Sequence, residues 1–160
     1  MAAQLQPPLD PVEVRVLGAL IEKEITTPEY YPLSLNALTN ACNQKNNRDP
    51  VVSYNDEDVR EGLERLRQRG LAFVRTGAGS RVEKFGQRLQ EQLNLGRREI
   101  AVLDVLMLRG PQTLGELRSN GARMHHFDDL EQVERTLHGL TEWQGQTLVV
   151  QLPRTAGTKE

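Results

Sequence analysis

Apolar residues recur at helical spacing in two stretches of the chain that match each other. Leu9 to Lys23 aligns with Leu95 to Arg109 at a constant offset of 86, so that Leu9, Glu13, Leu17 and Leu20 meet Leu95, Glu99, Leu103 and Leu106. Val14, Leu17 and Ile21 fall on one helical face, as do Ile100, Leu103 and Met107. Asp10 followed by Pro11 supplies an N-cap acceptor and the ring favoured at a first helical position. A second match, at an offset of 79, pairs Ser34, Leu35 and Leu38 with Thr113, Leu114 and Leu117. Ser34 and Thr113 are natural N-caps, and Thr113 with Glu116 has capping-box spacing. A third match, at an offset of 74, pairs Val59, Leu63 and Leu66 with Val133, Leu137 and Leu140. Acidic residues precede both: Asp56, Glu57 and Asp58 in one copy, Asp128, Asp129 and Glu131 in the other. They suit the positive end of a helix dipole.

The pattern predicts helices over 10–24, 34–44, 56–69, 96–109, 113–121 and 128–142. After the third helix, Leu71 to Arg75 and Arg81 to Phe85 flank the glycines Gly77 and Gly79, which predicts a hairpin of strands 71–75 and 81–85. The second copy has only Leu148 to Leu152 before Pro153, so its hairpin is expected to be reduced. Three helices closed by a hairpin is the winged-helix variant of helix-turn-helix. The expected fold is therefore mainly α with a small β-hairpin wing, as two winged-helix domains in tandem. The first spans 9–86 and the second 95–154, joined by a connector at 87–94 and followed by a disordered tail at 155–160. Leu89 and Leu93, four apart, make the connector a short amphipathic helix.

Composition narrows the function classes. The chain of 160 residues is 38% hydrophobic and 26% charged, as in a globular protein. No apolar run approaches the roughly 20 residues of a membrane helix, and the N-terminus has no secretory pattern. The single cysteine, Cys42, precludes an intramolecular disulfide and points to the cytoplasm. Net charge is −2, and a split near residue 86 leaves 11 Lys/Arg against 12 Asp/Glu before it and 9 against 10 after it. Nucleic-acid binding would therefore need a local basic patch.

The stretch from Tyr31 through Lys45 (Tyr31-Pro32-Leu33-Ser34-Leu35-Asn36-Ala37-Leu38-Thr39-Asn40-Ala41-Cys42-Asn43-Gln44-Lys45) resembles the signature of the YceH-like bacterial proteins. The resemblance continues through Asn47-Arg48-Asp49-Pro50, Gly79-Ser80-Arg81-Val82, Leu108-Arg109-Gly110, Gln112-Thr113, Gly115-Glu116-Leu117-Arg118, Ala122-Arg123-Met124-His125 and Leu152-Pro153-Arg154. It covers almost the whole chain. It implies two winged-helix domains and assigns no activity or binding residues.

Function has to be read from candidate sites. Asn36, Asn40, Asn43, Gln44, Lys45, Asn47 and Arg48 gather on the second helix and the loop leaving it. Their amides suit base edges, phosphates or a partner's backbone. The competing reading is a loop ordered by its own side-chain-to-backbone bonds. On the wing, Arg75, Arg81 and Lys84 could meet phosphates, or serve only to deter edge-to-edge aggregation. Arg118 and Arg123 are weaker candidates in the second domain, where Met124 and Phe127 read as core. The third helix opens on Asp56-Glu57-Asp58, which would repel phosphates where a winged helix usually reads the major groove. His125, His126, His138 and Cys42 have no metal-ligand spacing, and Cys42 reads as a small buried hydrophobe. No catalytic residue, metal or cofactor is expected. Two functions remain: a DNA-binding regulator using the first domain, or a protein-binding adaptor. Limited cores and the amphipathic connector suggest a homodimer through residues 86–94.

Overall fold

The computed structural model describes residues 7–77 and 82–153. The first copy of the repeat forms α1 (Pro11–Thr26), α2 (Leu35–Cys42) and α3 (Asp56–Gln68), with a short 3-10 turn at Pro28–Tyr30. A hairpin follows, of β1 (Ala72–Arg75) and β2 (Lys84–Gln87). Then come α4 (Leu89–Leu93), α5 (Arg97–Arg109), α6 (Leu114–Asn120) and α7 (Leu130–Thr141). All six expected helices are present and the connector is the short helix α4.

The helix starts follow from their caps. Asp10 accepts from the Glu13 N–H at 2.8 Å while Glu13 returns a bond to the Asp10 N–H at 2.9 Å. Thr113 and Glu116 close the same box at α6, and Ser34 caps α2. Asn55 caps α3 through Asp58, so one of the three acidic residues is held at the helix end. Asp129 caps α7, which places its first helical residue at Leu130, two positions later than the sequence pattern suggests.

The strands pair antiparallel with Ala72 opposite Gln87 and Arg75 opposite Lys84. The second strand is thus shifted two to three residues later than expected, and Arg81 lies outside the described residues. A bridge the sequence did not announce joins Leu33 to Phe85 on the far side of β2. In the second copy, the described residues after α7 contain only an isolated bridge between Trp143 and Gln146.

One continuous core runs through both copies. Val16, Leu17, Leu20, Ile21, Leu38, Leu63 and Leu66 pack in the first, and Ile100, Leu117, Met124, Phe127, Val133 and Leu140 in the second. α1 packs on α2, α3, β2 and also on α5, which in turn carries α6 and α7. The first helices of the two copies therefore form the seam. Leu89 and Leu93 of α4 are buried within this chain, and the Trp143 indole N–H donates to the Leu93 carbonyl at 2.6 Å. The apolar face on which the expected homodimer contact rests is turned inward. No helix among the described residues is long and apolar enough to cross a membrane.

Candidate binding surfaces

Asn43, Gln44, Asn47 and Arg48 of the asparagine-rich loop all use their side chains in bonds within the protein. Asn43 exchanges two bonds with the Tyr54 backbone, donating at 2.7 Å and accepting at 2.8 Å. Gln44 accepts from the Lys23 ammonium at 2.9 Å and donates to the Asn46 carbonyl. Asn47 adopts a left-handed conformation with φ 60°, which asparagine tolerates better than most residues. Its side-chain oxygen accepts from Arg109 of α5 at 3.1 Å. The Asp49 N–H donates to the Leu108 carbonyl at 2.9 Å. Arg15, buried in α1, donates to the carbonyls of Cys42 at 2.9 Å and Pro50 at 2.6 Å, and so fixes both ends of the loop.

Arg48 corrects the expectation of a phosphate-facing cation. Its side chain is fully buried, and its guanidinium binds both carboxyl oxygens of Glu22 at 2.6 and 3.0 Å. It also donates to the carbonyls of Ala41 and Asn47. The physical reason is that Glu22 points from α1 into the seam, where an unpaired carboxylate would be strongly penalised. Arg123, reaching across from the second copy, binds the same carboxylate, and Lys23 approaches it at 3.3 Å. Burial would push the Glu22 carboxyl up, but the hydrogen bonds and charge of Arg48, with help from Arg123 and Lys23, outweigh it and hold it at about 2. Asp104 of α5 stands beside this group, fully buried, with neither carboxyl oxygen bonded. Burial first, and the Glu22 charge second, push its carboxyl well above the usual carboxylate range.

Glu22 and Asp104 were not singled out from the sequence, yet the repeat carries their signal. Glu22 corresponds to Leu108 and Asp104 to Gly18 at the offset of 86. A charge where the sister copy is apolar or lacks a side chain is a departure from the repeat that can be read from the sequence.

Among the other candidates, Arg118 is committed to the carbonyls of Phe127 at 3.0 Å and Asp128 at 2.7 Å. Asn36 and Asn40 on α2 and Lys45 in the loop are exposed, while Asn43, the third member of the expected asparagine face, turns inward to Tyr54. Arg75 and Lys84 are exposed and stand directly opposite each other on the hairpin. Arg75 and Arg88 both lie over the Phe73 ring, at 5.3 and 5.1 Å from its centroid. Between this hairpin and α3 runs a shallow groove of about 360 Å³, walled by Glu64, Arg67 and Gln68 on one side and by Ala72 to Val74 with Arg88 on the other. The exposed residues Asp56 and Glu57 at the start of α3, and Asp128, Asp129 and Glu131 around the start of α7, make both of these helix ends acidic. Cys42 is buried and its thiol is pushed up to about 12 by that burial. No group of three metal-type ligands occurs among the described residues.

Residues 9–158 match the family model described as "Protein of unknown function, DUF480". A UPF0502 protein of Opitutus terrae is 58% identical over 154 residues, which are 96% of this chain and 67% of that protein. A UPF0502 protein of Solibacter usitatus is 59% identical over 152 residues, 95% of this chain and 72% of that protein. A third, from Koribacter versatilis, is 55% identical over 95% of this chain and 70% of its own length. The YceH-like motifs and these matches agree: the chain belongs to the DUF480/UPF0502 family of bacterial proteins.

Proposed function

We propose that the chain consists of two winged-helix units in tandem, locked face to face, and that it acts by binding a protein partner instead of by catalysis or by reading DNA. The observation that carries this reading is the burial of Arg48 on Glu22. The segment best suited by composition to meet nucleic acid is the clamp that seats the second unit on the first. The acidic starts of α3 and α7 support the same reading, because a winged helix that reads DNA brings this helix end to the major groove. The raised thiol of Cys42 argues against a cysteine nucleophile, since the thiolate is the reactive form. The clamp gives a scaffold whose two units keep one mutual orientation, which lets distant surfaces engage one partner together.

A photo-reactive amino acid placed at Phe73 in the cellular protein tests this reading. Adducts with protein are expected. Adducts made chiefly with nucleic acid would overturn it. DNA binding is the second reading, favoured by one feature: Arg75 and Lys84 face each other on the hairpin, and among the described residues no carboxylate forms an ion pair with either. Like charges in that position oppose pairing, and a phosphate between them would relieve the repulsion.

A further inference from the structure

The hairpin leaves one row of backbone groups open. Phe85 exchanges both of its backbone hydrogen bonds with Leu33, at 2.7 and 2.9 Å. The Gln87 N–H donates to the Tyr31 hydroxyl at 2.6 Å. Both residues therefore turn their backbone groups away from β1. Antiparallel pairs alternate between bonded and non-bonded types, so Phe73 with Gly86 and Arg75 with Lys84 carry the ladder. Ala72 and Val74 then aim their N–H and C=O groups to the other side of β1. No described residue outside the hairpin bonds to either. That side is the groove between β1 and α3.

We propose that this edge of β1 is the docking site for an extended, acidic segment of a partner protein, taken up as an added strand. The inference rests on the protein-binding reading and names its surface. Strand addition uses main-chain bonds for affinity and alternate side chains for selectivity. Side chains on the outer face of the added strand would meet Phe73, Arg75 and Arg88, and those on the inner face Arg67 and Gln68. Charge chooses the occupant. Arg67 and Arg88 line the groove and Arg75 ends β1 itself, against Glu64 and Glu91, which form exposed ion pairs with Arg67 and Arg88. Such exposed pairs are weak and readily exchanged. A second copy of this chain joining β1 to β1 would bring Arg75 and Arg88 toward their own equivalents, which disfavours self-pairing.

The test is a fluorescence-anisotropy titration of the full chain with a labelled acetyl-Glu-Val-Glu-Val-Asp-amide peptide. Two controls accompany it: the same peptide N-methylated at both valines, and a lysine-for-acid version. Saturable binding of the acidic peptide is expected, weaker by roughly tenfold or more on N-methylation and absent with lysine. Val74→Pro removes an edge N–H without touching the β1–β2 ladder and should abolish binding. Should that variant misfold, hydrogen exchange on the unaltered protein decides, because the acidic peptide must slow exchange at the Ala72 and Val74 amides. No binding up to about 1 mM, equal binding of the N-methylated peptide, or protection elsewhere would overturn the edge site. A mixed-sequence DNA duplex serves as a further arm. Duplex binding that depends on Arg75 and Lys84 would overturn the protein-binding reading itself, whereas failure of both peptide and duplex removes only the edge site.

Discussion

Gly18 of α1 packs directly against Asp104 of α5, the residue that occupies its own position in the second copy of the repeat. A Cβ on Gly18 would stand 3.3 Å from the Asp104 Oδ1 and 2.9 Å from the Leu108 Cδ2. Contact between equivalent positions is what a duplicated unit gives when it folds back on itself. The missing side chain at 18 sets how closely the two helices approach. Gly18→Val is expected to destabilise the protein by roughly 1–3 kcal/mol, the usual penalty for overpacking, in urea denaturation followed by Trp143 fluorescence.

Asp104 is preferred neutral in the folded state, so its penalty appears as pH rises above the ordinary value of 3.8 and grows toward the raised folded value. Asp104→Asn keeps the shape and removes the titration. The variant should be more stable than the parent at pH 7, by on the order of 1 kcal/mol or more. The gain should vanish near pH 3. A gain independent of pH in paired thermal melts would show that the carboxyl does not titrate this way.

Glu22 works in the opposite sense. Its folded carboxyl, at about 2, lies below the ordinary 4.5, so its stabilisation is present above that range and is lost as pH falls from 4.5 toward 2. Glu22→Gln should flatten the acid limb of the stability profile between those values. Equal acid limbs in parent and variant would place the acid sensitivity elsewhere.

The helices were legible because their signals are local. The Asp10–Pro11 start, the Thr113–Glu116 box, the Ser34 cap and the 3.6-residue stripes are all read from short stretches of chain. Leu89 and Leu93 marked α4 for the same reason. The register of β2 was less legible, because it is set by the long-range bridge between Leu33 and Phe85, and neither residue announces the other. The fate of Arg48 was hidden by the same separation. Its partner lies 26 residues away on α1, and a basic residue in a polar loop looks solvated until the seam is known. Asn36 and Asn40 remain exposed, and nothing in the structure assigns them a task.

Gly86 shows how the hairpin's outer face is built. Phe73 lies across it, and a Cβ there would also stand 2.6 Å from the Tyr31 hydroxyl. Gly86→Ala should displace Phe73, part Arg75 and Arg88 from its ring, and cost roughly 1–3 kcal/mol. Proton chemical shifts of the Phe73 ring should move in this variant while those of Phe127 stay fixed.

Arg48 is an interior tie and not a surface cation, and a double-mutant cycle tests this most directly. Glu22→Gln, Arg48→Met and their combination would be compared with the parent by urea denaturation at pH 7. Each single change should cost on the order of 3 kcal/mol, because Glu22→Gln leaves the buried Arg48 without its carboxylate and Arg48→Met leaves the buried Glu22 with only Arg123 and Lys23 beside it. The double change should recover about 2 kcal/mol or more of the summed loss. Single changes costing under about 1 kcal/mol, or losses that add within about 0.5 kcal/mol, would contradict the account and return Arg48 to the surface.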